Sequence, residues 1–257
     1  MGELSEKRTF FFDIERTLMK WNTTITGAED LITRLKDSGR KIRFHTDNSL
    51  VSRKSYAKRL TANGIPTEEE EILNSAYVAT EHLYRNNVKS VYTIGEAGLV
   101  EELDRRNIEI SKNSKTIVLG LDRNLNYRKI EEAVKKREED GLTLVLGNQK
   151  YFETSKGLKP GQKIINSIIE TYMSPKNIGK PSEEFRDIFR NYFSYYPDNS
   201  VLIGDRREDI LLGNRLGMTT VAVMSGEIDK KYMKQAEGLE EPDYGLSSLH
   251  RLTRKII

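Results

Sequence analysis

Three large apolar residues in a row, Phe10-Phe11-Phe12, stand between charged stretches near the start of the chain. That length suits a strand buried on both faces of a parallel sheet. The pattern then changes period. Ala28, Leu31, Ile32 and Leu35 recur at helical spacing, with Thr26 as the expected cap and Gly39 as the stop. Lys41 to Phe44 reads as a second strand, and about 52 to 63 as a second helix, with Tyr56 and Leu60 placed for packing and Gly64 behind it. This βαβα alternation predicts parallel pairing.

Similar periods run through the rest of the chain. Helices are expected over 71–85, 97–106, 126–140 and 162–173, and strands over 90–94, 116–121 and 142–146. In the last third, Ser182 should cap a helix over 182–195 that carries Phe185, Ile188, Phe189 and Tyr192 on one face. Strands follow at Ser200 to Asp205 and at Thr219 to Val223, then terminal helices with Met233, Ala236, Leu249 and Leu252. The predicted fold class is α/β: a parallel three-layer core made of residues 1–67 and 177–257, with a smaller α/β domain, 68–176, inserted between its halves.

Composition narrows the chemistry. Of the 257 residues 32% are charged, but Lys+Arg 42 against Asp+Glu 39 leaves only +3, so nothing calls for nucleic acid or an anionic membrane surface as a partner. There is no cysteine, hence no disulfide framework, thiolate zinc site or cysteine nucleophile. Any metal must be held by oxygen or by the three histidines, and oxygen donors favour Mg2+. The first residues lack an apolar signal region, Glu6 stands where a myristoylation signal wants Ser or Thr, and no apolar run nears the roughly 20 residues a bilayer span needs. A cytoplasmic protein is expected. The face carrying Lys129, Glu131, Glu132, Lys135, Lys136, Arg137, Glu138 and Glu139 is expected to be solvated, with no binding role.

Chemistry-bearing residues gather at strand ends. Asp13 and Glu15 follow the first strand and Asp205 ends a later one, while Thr46 and Lys180 lie in loops. Open α/β sheets bind ligands at that edge. Two carboxylates brought together there repel unless a cation lies between them, and Mg2+ also binds phosphate oxygens. The segment Thr46-Asp47-Asn48-Ser49 is open to two readings: a helix cap, or a hydroxyl and backbone N–H groups that hold a phosphate.

With these residues in place, the sequence resembles the haloacid dehalogenase-like phosphohydrolases, within them the 4-nitrophenylphosphatase-like and NagD-like group. The likeness rests on Asp13-Ile14-Glu15-Arg16-Thr17-Leu18, on Thr46-Asp47-Asn48-Ser49 with Ser52-Arg53 and Tyr56, and on Gly64-Ile65. It continues through Gly120-Leu121-Asp122-Arg123, Tyr127, Asn148, Gly157, Pro160 and Gly161 to Gly179-Lys180-Pro181-Ser182. It ends on Gly204-Asp205-Arg206-Arg207-Glu208-Asp209-Ile210 with Gly213-Asn214 and Gly217-Met218. The resemblance implies a Rossmann-like core with an inserted cap, and hydrolysis of small phosphorylated metabolites through an aspartyl-phosphate on Asp13. It implies Mg2+ held by Asp13, the main-chain carbonyl of Glu15, and Asp205. Thr46, the Asp47 N–H, Asn48 and Lys180 would bind the phosphoryl group, Glu15 would act as acid and base, and Asp209 or Glu208 would orient metal-bound water. The cap would select the substrate, and caps of related proteins often take part in dimers, which leaves a homodimer through the cap open here.

The chain departs from the family pattern at Glu15 and Asp47, where Asp and Asn are usual, at Arg16, where Gly is usual, and at Lys150, where an acid is usual. The spacing from Asp205 to Asp209 is one residue shorter than in many relatives. Two further readings stand beside hydrolysis: a relative that binds a phosphorylated metabolite or a partner without turnover, and a phosphotransferase.

Overall fold

The computed structural model describes residues 2–136 and 141–256. The chain divides into two compact units, one made of 1–46, 57–72 and 190–257, the other of 47–56 and 73–189. In chain order the elements begin with α1 (Gly2–Glu6), β1 (Thr9–Asp13), β2 (Met19–Lys20), β3 (Thr23–Thr24), α2 (Ala28–Asp37), β4 (Lys41–Thr46) and α3 (Arg53–Ala62). Next come β5 (Ile72–Asn74), α4 (Ser75–Arg85), β6 (Ser90–Ile94), α5 (Ala97–Arg105), β7 (Glu109–Ile110), β8 (Ile117–Leu119) and α6 (Tyr127–Lys135). Then β9 (Thr143–Val145), β10 (Tyr151–Thr154), β11 (Gly157–Pro160), α7 (Gln162–Glu170), β12 (Lys176–Asn177) and α8 (Glu183–Tyr192) follow. The chain ends with β13 (Ser200–Gly204), α9 (Arg207–Arg215), β14 (Thr219–Val223), α10 (Lys230–Gln235), β15 (Tyr244–Leu246) and α11 (Leu249–Ile256).

The first unit is built on a sheet of order β15-β14-β13-β1-β4-β5. β1 pairs in parallel with both β4 and β13, and β13 and β14 continue the parallel series. Phe10, Phe11 and Phe12 are wholly buried, as a central strand covered on both faces requires. Phe11 meets Phe193 and Tyr195 edge-on, with centroids 5.3 and 5.2 Å away. That contact explains why the helix expected over 182–195 ends earlier, at Tyr192: Tyr195 leaves the helical path to cover the strand. Ser182 does cap it, its hydroxyl accepting from the Phe185 N–H at 3.1 Å.

Helix α2 buries the four residues its periodicity marked, Ala28, Leu31, Ile32 and Leu35. Its cap is not Thr26 but Gly27, in the left-handed region at φ 89, which no threonine adopts cheaply; Glu29 and Asp30 in the first turn complement the helix dipole instead. At the other end Gly39, φ 74, donates to Lys36 O while Arg40 donates to Leu35 O, the paired bonds of a left-handed helix stop.

The second unit has its own parallel sheet of order β12-β9-β8-β6-β7. Alternate strand residues feed two cores. Val91, Val118 and Leu144 pack with Leu83, Leu99 and Leu103, whereas Tyr92, Ile117, Leu119 and Val145 pack with Ala133, Ile165 and Ile169. The helix expected from residue 71 begins only at Ser75. Ile72 to Asn74 form a buried strand, and the Asn74 side chain caps α4 by accepting from the Tyr77 N–H at 2.8 Å. Two short hairpins, β2/β3 and β10/β11, also carried no readable period, because strands of two to four residues are too short to show alternation. The end of the helix expected over 126–140 falls at 137–140, outside the described residues. Among the described residues no helix is long and apolar enough to cross a membrane.

Candidate active site

β1 ends in Asp13, only 2% exposed, and parallel register sets it beside His45 of β4. Residues 14–19 then fold back on themselves. The Leu18 and Met19 N–H groups both donate to Ile14 O, and Arg16 donates to Met19 O at 2.6 Å. Arg16 sits at φ 63, the conformation for which a glycine would be the ordinary choice, and its carbonyl accepts from the Ser225 hydroxyl at 2.6 Å. This turn aims Thr17 at Asp205, with 3.1 Å between hydroxyl and carboxylate. It also presents the Glu15 carboxylate to Thr46, whose hydroxyl donates to it.

β13 ends in Gly204, and Asp205 follows with no exposure at all. Asp209, in the first turn of α9, is equally buried and accepts from the Arg206 N–H at 3.1 Å. Two glycines make room for these acids. A Cβ on Gly204 would lie 2.3 Å from the Asp209 Cβ, and one on Gly226 would lie 1.5 Å from Asp205 Oδ2. The Glu227 N–H closes the Asp205 pocket at 3.3 Å from Oδ2. Burial first, and the neighbouring charge of Asp209 second, push the Asp205 carboxyl up to about 7, against the opposing pull of Arg206, Arg16 and the Thr17 hydroxyl.

His45 lies between the other two acids. Its Nδ1 is 4.0 Å from an Asp13 oxygen and 4.0 Å from an Asp209 oxygen. Asp13, His45 and Asp209 each offer one donor atom, all within 4.8 Å of one another. The set expected from the resemblance was Asp13, the main-chain carbonyl of Glu15, and Asp205. In the structure Asp13 is one of the converging donors and Asp209, expected to orient metal-bound water, is another, while Asp205 accepts from the Thr17 hydroxyl and the Glu227 N–H. Glu208 is half-buried one residue earlier on α9.

The remaining predicted residues belong to the second unit. Asp47 Oδ1 accepts from the Lys180 N–H at 2.9 Å, and Asp47 O accepts from the Ser75 hydroxyl at 2.7 Å. Here the side chain, and not only the N–H, of Asp47 is in use. Asn48 Oδ1 accepts from the Leu50 N–H at 2.9 Å, a local turn ahead of α3 rather than a cap on its first turn. Ser49 accepts from the Leu121 N–H at 3.0 Å. Lys180 is 2% exposed, far less than a loop lysine ordinarily is. Sequence reasoning passed over His45, Ser225 and Gly226. The only signal for His45 was a titratable residue near the end of a strand, and Gly226 gave none.

Comparisons with known proteins show the family to which the chain is similar. A family model described as haloacid dehalogenase-like hydrolase matches residues 10–109, and a HAD-hydrolase-like model matches 177–252, together more than half of the chain. The chain belongs to the haloacid dehalogenase-like hydrolases. It is 28% identical over 271 residues to phosphoglycolate phosphatase 1A, chloroplastic, of Arabidopsis thaliana, covering 94% of this chain and 75% of that one. It is 25% identical over 274 residues to the 4-nitrophenylphosphatase of Schizosaccharomyces pombe, covering 95% and 92%. Its fold is that of the 4-nitrophenylphosphatase of Thermotoga maritima, with a TM-score of 0.90 at 22% identity over all of both chains.

Proposed function

We propose that this chain is a phosphoric monoester hydrolase acting on small phosphorylated metabolites. The observation that carries the reading is the buried Asp13 at the carboxyl end of the central strand, with further buried acids on α9 and at the end of β13. The relatives named phosphatases support it.

Asp13 attacks phosphorus; an O–P bond forms to its carboxylate as the ester oxygen departs. Glu15 gives that oxygen a proton and later takes one from the water that hydrolyses the aspartyl-phosphate. Thr46, by donating to Glu15, fixes the direction of a side chain one methylene longer than the aspartate usual there. Lys180 and the Asp47 N–H neutralise and hold the phosphoryl oxygens, where most of the rate gain in this reaction arises. The donor set fits a divalent cation: donor atoms of two buried carboxylates and a buried imidazole converge. Such a cation, Mg2+ on the oxygen donors alone, supplies charge screening for the phosphoryl group when bound.

The test is phosphate release from 4-nitrophenyl phosphate with and without Mg2+, for the parent, Asp13→Asn and Glu15→Asp. Metal-dependent release that disappears in Asp13→Asn and persists or rises in Glu15→Asp is expected. A parent no faster than Asp13→Asn overturns the reading and favours a binding role without turnover.

A further inference from the structure

We infer that the Arg16 guanidinium is an anion-binding group of this site, placed to take a phosphate oxyanion beside Asp13 and so to let the chain hold inorganic phosphate with no dication bound. The inference rests on the reading above only in placing a phosphate group beside Asp13; it does not depend on turnover.

The backbone comes first. Arg16 sits at φ 63, a left-handed conformation that glycine takes without strain and a long side chain does not. Its surroundings impose it: the Arg16 N–H donates to Met19 O at 2.6 Å, its carbonyl accepts from the Ser225 hydroxyl at 2.6 Å, and Glu15 bridges to Met19 alongside. Conformations of this kind persist only where the neighbouring structure over-determines them, and they gather at functional sites. With its N–H and carbonyl both engaged, what the residue adds is its side chain.

Charge then decides what that side chain does. Arg16 is half-buried, and among the described residues no carboxylate forms an ion pair or hydrogen bond with its guanidinium. Its charge is still felt at Asp205, whose carboxyl it pulls down, so the two lie within the roughly 10 Å over which salt leaves a field standing. Thr17, the next residue, reaches the same carboxylate at 3.1 Å. Only three residues of chain, about 10 Å even when extended, separate Arg16 from Asp13. The neighbourhood is acidic, for Asp13, Asp205 and Asp209 are all buried there. A phosphate dianion arriving among them needs positive charge from the protein or from a cation. A guanidinium supplies it at every working pH, and its planar fork matches two phosphate oxygens at once.

The experiment titrates inorganic phosphate into the full-length chain in excess chelator, by calorimetry, for the parent, Arg16→Lys, Arg16→Gln and Arg16→Gly. The parent should bind. The dissociation constant should rise at least about tenfold in Arg16→Gln and Arg16→Gly, and by less in Arg16→Lys, which keeps the charge but loses the fork. Arg16→Gly separates binding from folding: glycine relieves the strain at φ 63, so its melting temperature should not drop below the parent's even though its phosphate binding weakens. Phosphate that binds the parent and Arg16→Gly equally well, or that fails to bind the parent until Mg2+ is added, overturns the inference. Arg16-dependent phosphate binding by a chain that releases no phosphate from 4-nitrophenyl phosphate would instead overturn the hydrolase reading and leave this one standing.

Discussion

At the scale of single residues, several positions near Asp13 and Asp205 sit where their chemistry is costly in isolation. Arg16 adopts a left-handed backbone at φ 63, a conformation that costs an L-residue about 1–2 kcal/mol, and its charge in turn pulls the Asp205 carboxyl down against burial and Asp209. Asp205 itself binds its proton more tightly in the folded chain than in the unfolded one. A carboxyl raised from 3.8 to about 7 favours the folded state below the unfolded value, and that contribution is lost as pH rises from about 4 to about 7. Thermal melts of chelator-treated protein should therefore show stability falling across that window, and Asp205→Asn should flatten the slope. Added Mn2+ or Mg2+ should reduce the fall by stabilising the folded state that binds it. Gly226→Ala places a Cβ where Asp205 Oδ2 now stands, 1.5 Å away. About 1–3 kcal/mol of destabilisation by denaturant unfolding is expected, together with weaker dication binding. Gly39→Ala meets nothing within 4 Å but keeps φ 74, so it should cost only about 1 kcal/mol and leave metal binding untouched.

Among elements, one junction in the second unit is set by a buried ion pair. Glu102 of α5, 1% exposed, accepts from the Arg53 backbone N–H at 3.0 Å and from its guanidinium at 3.2 and 3.3 Å. It thereby caps the first turn of α3 and neutralises the arginine, which also lies 4.0 Å over the Tyr77 ring. Removing one partner strands a buried charge, so Arg53→Met alone should lower unfolding free energy by about 3–5 kcal/mol. The double change Arg53→Met with Glu102→Leu should recover most of that in the same unfolding measurement, because a buried pair is often no better than apolar residues of similar volume. Asn74 acts at a neighbouring junction. Its Oδ1 caps α4 and its Nδ2 donates to Val51 O at 2.9 Å, so neither strand β5 nor helix α4 ends on an orphaned polar group.

For the whole molecule, the proposed reaction depends on Lys180, and Lys180→Met tests that requirement. Its side chain is buried, and methionine keeps most of the volume without the charge. Phosphate release should fall by at least about hundredfold, the usual cost of losing a group that stabilises developing charge. The melting temperature should change far less than in Arg53→Met. An unchanged rate would remove Lys180 from the mechanism.

Phe10 to Phe12 and Ser200 to Gly204 are legible as buried strands, and the face of α2 is legible as a helix, because burial and periodicity are written locally in residue type. Asp13 and Asp205 at strand ends, and the glycine stop at Gly39, follow from the same local rules. Other features come from pairing between distant segments. Only the parallel register of β1 with β4 sets His45 against Asp13, and only the β13-to-α9 turn brings Asp209 to them. Gly226 matters because its missing side chain leaves space for Asp205, and a vacancy has no signature in sequence. The sequence by itself determined which residues would be buried strands, helix faces and strand-end acids; the tertiary structure alone decided which acids and which imidazole would meet, because strand order and register are long-range choices that no local period records.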